Sequence, residues 1–191
     1  MNLKRISKKL ALSICVTVAV LFVSVHSATT NIPVDAKIVV EGTIPDSKVF
    51  NGPVRLTVRA LKIKPGEELP WHYHPGHAFN VVKSGTLTVD DGCGGEKKLT
   101  PGQGFEEMSG RVHRGKNVDA TDVVVYDTFI TSVSKPTTVN IPGNERRCGP
   151  PKDIDECQND GWRKFNHPRN FINRHQCVEF VRQMPRDVSQ L

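Results

Sequence analysis

The sequence lacks the short motifs that mark several common enzyme classes. It has no nucleophile elbow, no glycine-rich phosphate loop and no dinucleotide-binding fingerprint. It contains five cysteines but no Cys-x-x-Cys pair, the spacing typical of structural zinc sites. Neither a βαβ pattern nor a long internal repeat is present. Any chemistry must therefore be sought in other side chains, or in a metal held by them.

The N-terminus has the pattern of a secretory signal over residues 1–28. Four basic residues and no acidic residue precede an apolar run at 10–25, and the small residues Ser27 and Ala28 follow. An uncleaved membrane anchor is the alternative, but the run is short of the roughly 20 apolar residues that a spanning helix needs. We therefore predict export to the periplasm or the cell exterior, with cleavage near residue 27 or 28 and no membrane attachment afterwards.

The net charge depends largely on that signal. The whole chain carries 26 basic and 20 acidic residues, formally +6. Loss of the four basic residues of the signal leaves 22 against 20, or +2. So small a surplus gives no electrostatic reason to bind nucleic acid, and no nucleic-acid partner is predicted.

Residues 36–142 are predicted to form an all-β domain. The segment 54–60 alternates apolar and polar residues, the period of a half-buried strand. Turn clusters rich in Gly and Pro, such as 101–104, separate further strand-like runs. The nearly continuous apolar stretch 121–130 predicts a strand buried on both faces, with Tyr126 as a core residue or as a hydrogen-bond donor into the interior. Many short strands joined by such turns favour a sandwich or barrel.

The C-terminal part differs in composition. Residues 143–156 combine proline, glycine and charge and predict a linker, and 157–191 is predicted to be a small appendage with a helix-compatible stretch at 170–184. Beyond the signal the chain has four cysteines, Cys93, Cys148, Cys157 and Cys177. An even count in an exported chain favours disulfides, although the sequence leaves three pairings open and reduced, buried thiols are the alternative.

Histidines are concentrated in one short segment. Three of the six histidines outside the signal lie within 71–77. Side chains two apart on a strand point the same way, so His72 and His74 face together, and Trp71 and Tyr73 face the other side. Two neutral imidazoles on one face are suited to bind Zn, Fe, Ni or Cu. A third ligand has to come from elsewhere in the chain.

The spacing of glycines and histidines resembles the two motifs of the cupin family. The matching residues are Gly66, His72, His74 and Gly85 for the first motif, and Gly102, Gly110, His113 and Asn117 for the second. Ala78 stands where the first motif has Glu, and Met108 where the second has Pro. The resemblance, strongest to small bacterial single-domain cupins, covers about residues 64–117. It implies a jelly-roll or conical β-barrel whose mouth holds a divalent metal ion on His72, His74 and His113.

The absence of Glu at position 78 affects which metal and which reactions we expect. Three neutral imidazoles favour ions such as Fe, Zn or Ni over Mn or Mg, and they leave the ion strongly Lewis acidic. Some thiol and diketone dioxygenases of the cupin class resemble this arrangement, with three histidines around iron. We therefore expect oxygenase, isomerase or lyase chemistry on a small molecule. A non-catalytic module that binds a small ligand or metal ion, and a structural barrel without metal, are the alternatives.

Three further residues near the motifs carry weaker expectations. His77, one residue before Ala78, is expected to be a rim histidine in solvent rather than a fourth ligand. Glu106 and Glu107 are expected to be surface charges on a strand edge, although either can supply a carboxylate. The family resemblance is also compatible with a homodimer formed by sheet-edge contact, which an exposed edge strand makes physically reasonable.

The tail resembles a short cysteine-flanked segment found on some exported bacterial proteins. The resemblance covers about residues 157–181 and implies a Cys157–Cys177 bridge around Trp162, without implying an activity. Cys93 and Cys148 would then remain to pair with each other.

Overall fold

The computed structural model describes residues 35–184, so the predicted signal lies outside the described residues. The strands are β1 (Asp35–Ser47), β2 (Gly52–Ile63), β3 (His72–Tyr73), β4 (His77–Ser84), β5 (Leu87–Asp90), β6 (Glu96–Leu99), β7 (Gly104–Glu107), β8 (Arg114–Lys116), β9 (Val123–Ser132) and β10 (Val139–Asn140). One α-helix, α1 (Arg174–Gln183), and two short 3-10 helices, Asp155–Cys157 and Gly161–Lys164, follow. The all-β class with a small helical appendage is thus confirmed. Within the described range, no helix is long and apolar enough to cross a membrane.

The strands form three antiparallel sheets. The largest has the order β1-β2-β9-β4-β7, a second has the order β6-β5-β8, and β10 pairs with β3. One apolar cluster joins the two larger sheets, and its buried members are Leu61, Ile63, Val82, Leu87, Leu99, Val123 and Val125. Because these side chains come from β2, β4 and β9 on one side and from β5 and β6 on the other, the sheets face each other across a common core.

Strand β9 is buried on one face only, contrary to the expectation from its composition. Val125 and Phe129 are buried, whereas Tyr126 between them is 38% exposed and its hydroxyl lies 3.5 Å from Lys83 Nζ. The prediction that the strand is buried on both faces and that Tyr126 serves the core or the interior was therefore wrong. An antiparallel sheet with one face outside alternates in burial whatever its composition, and here apolar residues also occupy the outer face.

The segment predicted as a linker, 143–156, lies against the strands. A Cys93–Cys148 disulfide joins it to the turn between β5 and β6, and Val112 N donates to Gly149 O at 2.9 Å. The contact is close, because a Cβ on Gly92 would stand only 1.7 Å from the carbonyl oxygen of Arg147. Contacts along this segment therefore attach the C-terminal part to the β domain.

A second apolar cluster, separate from the main core, organises the C-terminal appendage. Its buried members are Cys148, Cys157, Phe165, Phe171 and Cys177, and Cys93 packs against them. The second disulfide, Cys157–Cys177, lies within it. Helix α1 begins after Asn173, whose side-chain oxygen accepts the Gln176 backbone N–H at 2.9 Å. Both disulfides of the described chain thus lie in one small core, which stabilises a segment too short to bury much apolar surface.

Candidate metal centre

Backbone pairing brings His72 and His113 side by side. His72 N donates to His113 O at 3.0 Å and His113 N donates to His72 O at 2.9 Å, so the two residues are direct cross-strand partners. His74 lies two residues further along and points to the same side. The three ring centroids are 4.5 to 5.0 Å apart, and all three rings are buried. One donor nitrogen from each ring can be chosen so that the three lie within 4.8 Å of one another.

Each of these histidines is oriented by a backbone carbonyl. The contacts are His72 Nδ1 to Pro70 O at 2.8 Å, His74 Nδ1 to Thr137 O at 2.7 Å and His113 Nδ1 to Arg111 O at 2.9 Å. A carbonyl oxygen only accepts, so each Nδ1 carries the proton and donates it. In the neutral ring Nε2 then keeps its lone pair. Three lone pairs held in this way are the arrangement that a metal ion requires of histidine ligands.

The structure adds a carboxylate to the three histidines. Glu107 Oε2 lies 3.2 Å from His74 Nε2, and Glu107 Oε1 lies 3.0 Å from His113 Nε2. The Glu107 side chain is only 14% exposed. The expectation that Glu107 is a surface charge on a strand edge was therefore wrong. The residue does lie on the edge strand β7, but its side chain points inward.

The strand phase explains which glutamate turns inward. Side chains on β7 alternate, so Phe105 and Glu107 share the inner face and Glu106 has the outer one. Phe105 packs against the core, and this apolar residue two positions earlier was the sequence signal that identifies Glu107. His77 points outward too, with its Nδ1 3.4 Å from Glu106 Oε1. His77 is outside the cluster and supplies no ligand atom to it.

Burial and mutual contact set the charges of the cluster. Burial alone would raise the pKa of Glu107, but the attraction of the adjacent His113 and His74 rings outweighs it and holds that pKa well below its usual range. Burial alone would lower the pKa of His113, but Glu107 raises it above the ordinary value. Burial, followed by the neighbouring His113 and His74, keeps the pKa of His72 well below normal. The cluster thus combines an ionised carboxylate with His113, whose charged form that carboxylate favours, and with His72, which burial favours in its neutral form.

The nitrogen nearest that carboxylate is left without a well-directed partner. His113 Nε2 is buried and makes no hydrogen bond of good geometry within residues 35–184, although Glu107 Oε1 is 3.0 Å away. A buried polar atom of this kind costs free energy unless a ligand or a proton satisfies it. The residues present therefore fit a metal ion, with three imidazole nitrogens as donors and the Glu107 carboxylate beside two of them.

A buried ion pair lies beside the cluster. Arg59 Nη2 is 2.6 Å from Asp127 Oδ2, and the guanidinium also stands over the ring of Phe129, 4.7 Å from its centroid. Burial raises the pKa of Asp127, with Arg59 opposing and Glu107 adding to the rise. Neighbouring Asn80 is 2% exposed, and within the described part of the chain its amide nitrogen and oxygen lack partners. Several buried polar groups therefore lie next to the histidines within an otherwise apolar interior.

Two spaces of different size adjoin the cluster. An interior cavity of about 20 Å³ is lined by Arg59, His72, His74, Glu107 and Asp127, together with core side chains. It has room for roughly one water molecule. A larger cleft of about 310 Å³ adjoins the cluster at Glu107 and His113. Of these two spaces, the cleft is the one with room for a molecule bigger than water.

A family model matches the central part of the chain. Residues 60–129 match the family model described as "Cupin domain". This stretch contains the three histidines, Ala78 and Glu107. The family resemblance drawn from the motif spacing is thereby confirmed. No curated protein matches the chain.

Several solved structures are similar to the chain over part of its length. An oxalate oxidase in complex with the substrate analogue glycolate is 23% identical, with 46% of each chain covered and a TM-score of 0.40. This chain thus spans about half the length of that oxidase. An uncharacterised conserved protein with a double-stranded β-helix domain from Klebsiella pneumoniae is 20% identical over 60% of this chain and 89% of its own, with a TM-score of 0.45. A cupin domain from Bordetella pertussis is 27% identical over 48% and 95%, with a TM-score of 0.38.

Proposed function

Because the chain carries a cupin domain over residues 60–129, we propose that it binds one divalent metal ion and acts on a small molecule beside it. The ligands are His72, His74, His113 and Glu107. One observation carries the proposal: all three rings donate Nδ1–H to fixed backbone carbonyls, so their Nε2 lone pairs are available to the ion while Glu107 contributes charge.

The donor set bears on the choice of metal. Imidazole suits Fe, Zn and Ni, as expected from the sequence. The argument that a site without carboxylate disfavours Mn no longer applies, because Glu107 brings a negative charge and an oxygen donor. When bound, such an ion supplies Lewis acidity toward an oxygen of the substrate.

The chain's own groups prepare the centre in three ways. The backbone carbonyls of Pro70, Thr137 and Arg111 orient the histidine rings. Glu107 Oε1 lies 3.0 Å from His113 Nε2, where its negative charge would favour a cation bound to that nitrogen. The small cavity behind the histidines admits little water, so the reacting molecule meets the centre from the cleft.

The same proposal includes an oxidising compartment. All four cysteines outside the predicted signal are paired, in the bridges Cys93–Cys148 and Cys157–Cys177. Disulfides persist in exported proteins and are rare in a reducing cytosol. Together with the basic, apolar and small-residue pattern of 1–28, this supports export to the periplasm or the exterior.

A homodimer is proposed from the outer face of the five-stranded sheet. Register places Val40, Val58, Thr128 and Phe79 in one row across β1, β2, β9 and β4. In the next row Tyr126 lies beside Val81. Both β4 residues of these rows are exposed, Phe79 to 44% and Val81 to 47%. A contiguous apolar face of this kind marks an association surface.

A second copy of the chain is the partner that fits this face. Some charged groups near it are paired within the chain, such as Lys62 with Asp122 at 2.8 Å and His77 with Glu106 at 3.4 Å, and Lys83 lies over the Tyr126 ring. Among residues 35–184, strand β1 is an edge of this sheet and is exposed along nearly its whole length.

The test of the metal centre is elemental analysis of the exported chain, produced without a polyhistidine tag. We expect about one metal ion per chain in the wild type and loss of it in His72→Ala and His113→Ala. The matched control is His77→Ala, which removes a neighbouring imidazole that points outward and should leave the metal content unchanged. Circular dichroism checks that the variants fold. Folded wild-type chain that takes up no ion, even after incubation with Fe, Zn, Ni and Mn, would rule the proposal out.

A further inference from the structure

The cleft beside the metal centre lies between two sheet edges. Strands β6 and β7 follow one another in the chain, yet β6 is the edge of the three-stranded sheet and β7 the edge of the five-stranded one. Residues of both strands line the cleft, among them Lys97 and Leu99 from β6 and Phe105 from β7. At about 310 Å³ the cleft is at the lower end of the size range of small-molecule pockets.

The cleft reaches the candidate ligands directly. Glu107 and His113 both line it, and Glu107 lines the interior cavity as well. Phe105 and Val89 also border both spaces. These side chains are therefore the partition between the cleft and the interior, and a molecule in the cleft contacts the cluster at that partition.

The acidic groups in the cleft are engaged elsewhere. Asp91 Oδ1 accepts the backbone N–H groups of Cys93 and Gly95 at 2.7 and 2.8 Å. Glu106 is directed to His77, and Glu107 lies between two of the histidines. None of these carboxylates neutralises a lysine of the cleft within the described residues.

Two cations of the cleft are available to a ligand. Arg111 is not one of them, because it donates two hydrogen bonds of 3.0 and 3.1 Å to the carboxylate of Glu156. Lys97 makes no ion pair within residues 35–184, and Lys152 Nζ has only a long, solvent-exposed ion pair with Asp153 at 3.9 Å, which a bound anion can replace. The cleft therefore presents two lysine ammonium groups beside an apolar wall that includes Leu99, Phe105 and Met108.

We propose that this cleft binds a small carboxylate with an apolar body, and that Lys97 and Lys152 recognise its negative charge. The idea deepens the proposed function by naming the class of molecule that meets the metal centre, and it rests on that function only for the chemistry that follows binding. Lys152 belongs to segment 143–156, which the Cys93–Cys148 bridge holds in place. The C-terminal part thus contributes one of the two charges that select the ligand.

Hexanoate and its uncharged isostere hexanamide are suitable probes. Binding is measured by NMR titration of isotope-labelled chain, first after removal of metal with a chelator and then after reloading. We expect hexanoate to bind the metal-free chain at least roughly tenfold more tightly than hexanamide, because only the carboxylate gains charge-assisted contacts. Lys97→Ala and Lys152→Ala should each weaken hexanoate binding roughly fivefold and leave hexanamide unaffected.

Lys98→Ala is the matched control. Lys98 is on the same strand as Lys97 but points to the opposite face, so its loss should leave both affinities unchanged. Absence of saturable hexanoate binding, equal affinity for the two probes, or an equal loss in Lys98→Ala would overturn the proposal. Binding that needs metal and survives both lysine substitutions would also overturn it, while leaving the metal centre itself supported. Metal content is measured separately, so the two proposals fail independently.

Discussion

Glu107 stands directly across from Ala78 in the antiparallel pairing of β7 with β4. Ala78 is the position at which the cupin motif carries its glutamate, and it is fully buried. The carboxylate missing from β4 is thus supplied by the neighbouring strand and reaches His74 and His113 within 3.2 Å. Side chains opposite each other in such a pair have Cβ atoms only about 4.5–5.5 Å apart, so either position can serve the same cluster.

This relationship predicts that the carboxylate can be moved between the strands. Glu107→Gln, which keeps the shape and removes the charge, should lower metal affinity at least roughly tenfold. The double change Ala78→Glu with Glu107→Ala should recover most of the affinity, because the new carboxylate projects from the facing position. Competition with a chromophoric chelator measures both affinities.

Glu106→Gln is the control for this exchange. It alters the adjacent glutamate on the outer face and should leave metal affinity at the wild-type value. If Glu107→Gln bound metal as tightly as wild type, the carboxylate would not be a ligand and the centre would consist of the histidines alone.

Much of the site was predictable because it depends on local spacing. The alternation of a strand is enough to place His72 and His74 on one side, and the motif spacing indicated His113. Phe105 two positions earlier indicates that Glu107 faces inward, but its place beside the histidines depends on the register of β7 against β4, which the sequence does not show. The outward position of Tyr126 was missed for a related reason. The apolar composition of a strand does not show whether another part of the same protein packs against its outer face.

We predict that removing one member of the Arg59–Asp127 ion pair strongly lowers the unfolding free energy. Asp127→Ala leaves the Arg59 guanidinium unpaired in the interior, which should cost about 3–5 kcal/mol of unfolding free energy. The double variant Arg59→Met with Asp127→Leu removes both charges and should cost much less. Urea unfolding of the metal-free chain measures the difference. If Asp127→Ala were as stable as the wild type, water would be solvating the Arg59 guanidinium and the predicted cost would be contradicted.

The Arg111–Glu156 pair predicts a pH dependence. Burial alone would raise the pKa of Glu156, but the hydrogen bonds from Arg111 and the Lys152 backbone N–H outweigh it and lower that pKa. A carboxyl group with a depressed folded-state pKa stabilises the fold above its unfolded pKa of about 4.3, and this contribution disappears as pH falls through the folded value. The contact also joins the β domain to the C-terminal part.

Glu156→Gln should therefore reduce the unfolding free energy by about 1–3 kcal/mol at pH 7, and the difference from wild type should shrink below roughly pH 4. Urea unfolding of chelator-treated protein at several pH values measures this without interference from metal loss. The control is Glu145→Gln, which removes an 84% exposed carboxylate near Arg147 and should show little effect at any pH. A difference independent of pH would contradict the ionic origin of the effect.

The outer face of the large sheet predicts the oligomeric state. Phe79 and Val81 point away from the core on β4 and lie in the apolar rows that begin on β1 and β2. Sedimentation velocity should show a wild-type dimer, and Val81→Lys should yield a monomer because a buried lysine without a partner opposes association. Ile172→Lys changes a 74% exposed apolar residue in the C-terminal part and should leave the dimer intact. A wild-type chain that stays monomeric at high concentration would show that the face does not bind a second copy.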